Sequence, residues 1–212
     1  MTRNWKKHSL SAIATSLFLS SAQPQIVPPV YAPIPVNLYS DTAYGMSFQY
    51  PKVWKRVTDP GGIFGSTVFQ TPGVQGSGIV TRAAVQFSAE GTIYSETTLE
   101  SLGFVYGVGT RSTAASCNKV ITDVDAMPKR ETIHGVVYMH GTGGDAGMSQ
   151  TLSSQIYSTL QGTNCYVFES DTNRTNGLVR DGQRQLTKAE DTSLQNSLNN
   201  ILLTIRFSKV SN

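Results

Sequence analysis

From Tyr44 onward, apolar and polar side chains alternate with a period of two. Met46, Phe48 and Tyr50 are separated by Ser47 and Gln49, which predicts a half-buried strand closed by Pro51. Ile79, Ala83, Val85 and Phe87 share one face against Arg82, Gln86 and Ser88, the clearest strand pattern in the chain. Between these two, residues 66–71 read as another strand, and PGVQGSG at 72–78 as a hairpin loop. Residues 119–125, 131–140, 151–160 and 165–170 are rich in Val, Ile, Tyr and Thr and predict four more strands.

Two segments follow a helical period. Thr97 and Glu100 form a T-x-x-E capping box ahead of Leu102, Val105 and Tyr106, with Gly107 as the stop. Thr187 and Glu190 form a second box, and Leu194, Leu198, Ile201, Leu202 and Ile205 continue from it as one apolar stripe. Such a stripe needs a sheet to lie on. Sequential strands with few helical crossovers predict an α+β fold, an antiparallel sheet with helices packed on it.

The N-terminus has a different pattern. Arg3, Lys6 and Lys7 precede an apolar run from Leu10 to Leu19, then small residues at Ser20 and Ala22. This is the layout of a secretory signal peptide, with cleavage expected after Ala22 and an exported product, periplasmic or secreted. The run falls short of the ~20 residues that span a bilayer, and the rest of the chain holds no apolar run of spanning length. Residues 23–36, QPQIVPPVYAPIPV, contain Pro24, Pro28, Pro29, Pro33 and Pro35 and predict an extended leader. One domain is expected over 37–212.

Charge acquires meaning only after this division. The 212 residues carry 17 Lys+Arg and 14 Asp+Glu, a formal net charge of +3. Cleavage after Ala22 takes three basic residues and no acidic ones, so the working chain is charge-balanced. Nucleic-acid binding, which neutralises many phosphates, loses its electrostatic basis. In an oxidising compartment the two cysteines, Cys117 and Cys165, are expected to pair. Neither lies in a CxxC or beside a histidine, so a thiolate nucleophile is not indicated.

Other candidate chemistry is thin. GTGGDAG at 141–147 has the G-x-G-x-x-A spacing of a pyrophosphate cradle, with Glu169 and Asp171 as acidic residues on a later strand. Asp145 would oppose a pyrophosphate and no further βαβ units follow, so a glycine hairpin loop is the expectation and no cofactor is predicted. His134 and His140, on one strand face, would stand about 20 Å apart, too far to share a zinc ion. There is no G-x-S-x-G elbow, so HGTGG from His140 has no nucleophile to serve. Asp123, Asp125 and Glu131 have no spacing that marks them as a catalytic set. Asn173-Arg174-Thr175 is formally a glycosylation sequon. No catalytic, cofactor-binding or metal-ligating residue is assigned.

YGMSFQYPKVW at 44–54 resembles the opening hairpin of PsbP-like and DcrB-like proteins, where a short strand enters a Tyr-Pro and then a Trp. NILLTIRF at 200–207 resembles their C-terminal helix running into a last short strand. The resemblance implies an α-β-α sandwich without a family-wide catalytic centre, in small exported or envelope proteins that act by binding or by scaffolding assemblies. No common set of functional residues carries over to this chain. The expected function is therefore a non-catalytic exported binding or assembly protein whose partner is another envelope or extracellular protein, with the glycine loops at 72–78 and 141–147 as contact edges. The alternatives are a small exported hydrolase whose site forms only in three dimensions, or a carrier of a small apolar ligand between sheet and helix.

Overall fold

The computed structural model describes residues 34–57, 78–122, 125, 127–147, 150–175 and 182–208. The chain opens with strands β1 (Val36–Asp41), β2 (Met46–Pro51), β3 (Lys55–Val57), β4 (Val80–Ser88) and β5 (Leu99–Gly109). Helix α1 (Ala114–Thr122) is followed by β6 (Lys129–Ile133), β7 (Val136–Ala146), β8 (Gln150–Gln161) and β9 (Asn164–Thr175), then α2 (Lys188–Leu203) and β10 (Arg206–Phe207). A seven-stranded antiparallel sheet runs in the order β3-β4-β5-β9-β8-β7-β6, and a three-stranded one in the order β1-β2-β10.

Strand alternation gives the large sheet two different faces. On β9, Tyr166 and Phe168 join Phe104, Tyr106, Phe48 and the α2 stripe of Leu194, Leu198, Ile201 and Leu202 in the main core. Cys165 and Val167 point the other way and pack with Cys117, Val120 and Ile121 of α1. Cys117 and Cys165 are joined as a disulfide, their Cα atoms 5.4 Å apart. Of the described residues, 55% are strand and 17% helix, more sheet than an α-β-α sandwich, because the β1-β2-β10 sheet shares the α2 side.

The C-terminal helix forms as its caps dictate: Thr187 accepts from the Glu190 backbone while the Glu190 carboxylate accepts from Thr187 N–H. The other expected helix does not form, since residues 99–109 are β5. This strand lies between β4 and β9 and is buried on both faces, so its apolar run mimics a helical stripe without being one. The expected cap dissolves: Thr97 Oγ1 accepts from Leu99 N–H, and Glu100 accepts from Gln150 and Asn173.

The expected strand at 119–125 is also corrected, because 114–122 is α1. Thr113 and Ser116 cap it reciprocally, and Cys117, Val120 and Ile121 fall at i, i+3 and i+4 on its buried side. The single strand expected over 131–140 is a hairpin, β6 turning through His134 (φ 50°) and Gly135 (φ 79°) into β7, two positive φ values that suit a type I′ turn. The glycine loop expected at 141–147 is likewise strand, paired with β8 through Ala146. Beside α1, Gly141 is required, because a Cβ there would stand 2.6 Å from Ile121 Cγ2. The predicted strand at 66–71 and all but the last residue of the 72–78 loop lie outside the described residues.

Candidate functional site

The strongest electrostatic feature lies at the centre of the large sheet. β9 places Val167, Glu169, Asp171 and Asn173 in succession on the α1 side. Glu169 sits between Val105 of β5 and Ile156 of β8, Asp171 between Gly103 and Ser154, and Asn173 between Ser101 and Leu152. Glu169 and Asp171 are both 0% exposed. Ser154 Oγ donates to Asp171 Oδ1 at 2.6 Å, while Asp171 Oδ2, Asn173 Oδ1 and both Glu169 oxygens receive no hydrogen bond.

Burial, then the neighbouring Asp171 carboxylate, pushes the Glu169 pKa well above the carboxylate range. Burial also raises Asp171, to about 7, with the hydrogen bond from Ser154 and the proximity of the Glu169 carboxyl opposing the rise. Two acids in a dry site with one hydroxyl donor cannot both be ionised at neutral pH. Neither has a surface through which to act on a substrate. In the sequence these residues figure only as accessories to a nucleotide site; the usable signal is their parity with Cys165 and Val167 in CYVFESD.

The histidines are not brought together. His134 occupies the β6–β7 turn, its Nε2 2.8 Å from the Leu203 carbonyl at the end of α2. His140 stacks on Tyr157 with ring centroids 4.2 Å apart, its Nδ1 3.2 Å from Glu131 Oε2 and its Nε2 2.7 Å from Gln155 Oε1. Asp125 accepts instead from Met127 N–H and from the Thr142 N–H and hydroxyl, and these hydrogen bonds lower its pKa. Asp123 lies outside the described residues. Among the described residues no three His, Cys, Asp or Glu side chains are placed to hold a metal ion. Asn173 is 7% exposed and hydrogen-bonded to Glu100, so the sequon is closed to modification in the folded chain.

At the surface, the outer edge of β1 stands apart. Each of the other sheet edges carries cations: Lys55 and Arg56 on β3, Lys129 and Arg130 on β6, Arg206 on β10. Along Ile34–Ser40 there is no charge, and Asp41 turns inward to Arg82 at 2.9 Å. Ile34, Val36 and Leu38 alternate on the exposed side, 65%, 44% and 66% exposed. No described strand pairs with this edge. Ile34, Val36, Pro51 and Ile201 line a pocket of about 80 Å³ between the hairpin and α2. A wider hollow of about 670 Å³ follows the outer side of α2 past Thr192, Asn196 and Asn200, with Lys188 as the ionisable side chain among its described lining. Among the described residues, no helix is long and apolar enough to cross a membrane.

No protein-family model and no curated protein matches the chain. Among solved structures, cyanobacterial PsbP (CyanoP) from Synechocystis sp. PCC 6803 is similar over 88% of this chain and 100% of its own, at 12% identity and a TM-score of 0.47. A protein of Bacteroides thetaiotaomicron VPI-5482 is similar over 82% of this chain but 49% of its own, at 14% identity and a TM-score of 0.43. LpqN of Mycobacterium tuberculosis, described as involved in cell envelope biogenesis, is similar over 82% and 86%, at 8% identity and a TM-score of 0.42.

Proposed function

We propose that the protein is an exported binding or assembly protein of the cell envelope that takes an extended segment of another envelope or extracellular protein along the outer edge of β1. The observation that carries this reading is that edge: uncharged from Ile34 to Ser40, apolar at alternate exposed positions, and unpaired by any described strand, where the other described edges carry Lys or Arg. Sheet edges expose unpaired backbone donors and acceptors and are ordinarily protected by charge. An added strand would gain main-chain hydrogen bonds from β1, and its alternate side chains would meet Val36 and Leu38. The chemistry of the edge selects a segment that is itself uncharged and apolar at alternate positions.

The test is a matched pair of variants in the protein's own source. Leu38→Lys places a charge on the β1 edge, whereas Ile93→Lys places one at a still more exposed site outside any strand. After gentle extraction and native mass spectrometry, a partner present with the wild type and with Ile93→Lys but absent with Leu38→Lys supports the reading. A partner retained equally by both variants, or a bare monomer in every case, overturns it.

A further inference from the structure

At the heart of the large sheet, the packing supplies one donor, Ser154 Oγ, for two carboxyl groups with no solvent contact. Glu169 lies between two aliphatic side chains and neither of its oxygens has a partner. Asp171, two residues on and on the same face, receives the Ser154 hydroxyl and keeps a second oxygen without a donor. An ionised carboxylate flanked by Val105 and Ile156 has nothing to replace its water, and a second one beside it adds like-charge repulsion.

We propose that Glu169 and Asp171 share one proton at neutral pH, and that this proton makes the closure of the β5–β9–β8 centre of the sheet respond to the pH around the protein. The proton resides on Glu169, the acid without a donor, and points to Asp171, whose negative charge the Ser154 hydroxyl supports. Raising the pH removes that proton to solvent. Two carboxylates then face one another in an apolar site, and relief comes from separating β9 from what covers it.

The surroundings offer little to offset this. In the two rows of the pair, β4 contributes Ala84 and Gln86, β5 Val105 and Gly103, β8 Ile156 and Ser154, and β7 Gly141 and Gly143, none of which ionises. The charged groups on that side are Lys55 on the edge strand β3, in the Asp171 row beside Gln86, Arg130 of β6 beside Met139, Glu100, held by Asn173 and Gln150, Asp125, held by Thr142, and exposed Lys119 on α1. His140 and Glu131 belong to the opposite face with Tyr157.

The sign follows from linkage. Both acids bind a proton more tightly folded than unfolded, so their contribution is greatest below about pH 4 and declines as pH rises toward their folded values. Each such proton raises the unfolding equilibrium constant up to about tenfold per pH unit within that window. Two measurements on the oxidised protein decide the matter. Carboxyl ¹³C NMR is expected to find Glu169 protonated at pH 7. Urea unfolding from pH 5 to pH 8.5 is expected to show a steeper loss of stability for wild type than for Glu169→Gln, whose amide retains the shape without the titration. A Glu169 carboxyl already ionised at pH 6, or parallel profiles for the two proteins, overturns the proposal. Should Glu169→Gln fail to fold, the NMR titration of the wild type alone decides.

Discussion

Tyr106 lies within the aromatic core, its ring stacked 5.5 Å from Phe168 and 6.4 Å from Tyr166. It is 0% exposed and its hydroxyl has no partner. A buried hydroxyl without a hydrogen bond keeps its full desolvation cost, so Tyr106→Phe is expected to raise stability by about 1 kcal/mol, read as a higher urea midpoint at unchanged slope. At Thr187 the expected sign is opposite. Its side chain accepts from the Glu190 backbone and donates to the Glu190 carboxylate, which Arg184 also holds. Thr187→Ala is expected to cost about 1 kcal/mol in the same measurement, the usual value of an N-cap. The cap could be read in the sequence because both partners lie within one turn of chain. The orphaned Tyr106 hydroxyl could not, because its isolation depends on what β9, one helix and three strands later in the chain, places above the ring.

The same division between local and distant causes runs through the elements. α2 was legible because its caps and its apolar stripe are written within one continuous segment. β5 was misread because burial on both faces removes the alternation that marks a strand, leaving Leu102, Val105 and Tyr106 at helical spacing by coincidence. β7 was misread for its glycines, which composition assigns to a loop, whereas the packing pairs them in a strand and sets one of them, Gly141, against α1. That contact gives a testable contrast. Gly141→Ala would press a methyl onto Ile121 and the Asp125 Cβ, 2.6 and 2.9 Å away, and is expected to cost about 1–3 kcal/mol by prising α1 from β7. Gly143→Ala finds its nearest neighbour, Ile156 Cδ1, at an ordinary 3.5 Å and is expected to leave the urea midpoint within about 0.5 kcal/mol of wild type. Equal losses at both positions would mean that the close approach of α1 is not what fixes the glycine. The Glu169–Asp171 site was only half legible: alternation with Cys165 gives its face, but the lack of donors is a property of β5 and β8 and does not appear in β9's own residues.

Among the described carboxyl groups whose pKa is shifted, two sets oppose each other. Hydrogen bonds from Arg184 and from Thr187 hold Glu190 at about 2, and those from Thr142 and Met127 lower Asp125. Their contribution is present above the ordinary carboxyl range and is lost as pH falls through their folded values. Glu169 and Asp171 act the other way, losing stability as pH rises from the ordinary range toward about 7 and beyond. The fold is therefore expected to be most stable near pH 4–5, with Glu190→Gln altering only the acid limb and Glu169→Gln only the other. A urea midpoint that peaks above pH 7 would contradict this balance.

The bond between Cys117 and Cys165 also bears on the order of assembly. β5 and β9 are neighbours at the middle of the sheet, but α1 and three strands lie between them in the chain. Cys165 is the register partner of Gly109, and the bond from Cys117 shortens the covalent path between those two positions by the 48 residues separating the cysteines. Closing a long loop is the slow, entropically opposed part of building a sheet from distant strands. Once oxidised, the chain meets its central pairing as a short-range search. The oxidised protein is expected to refold faster than the reduced one, in addition to the roughly 4 kcal/mol of equilibrium stability that a loop of this length confers. The order in which the thiols are oxidised and the sheet closes then sets how long the β5 and β9 edges stay open to other chains.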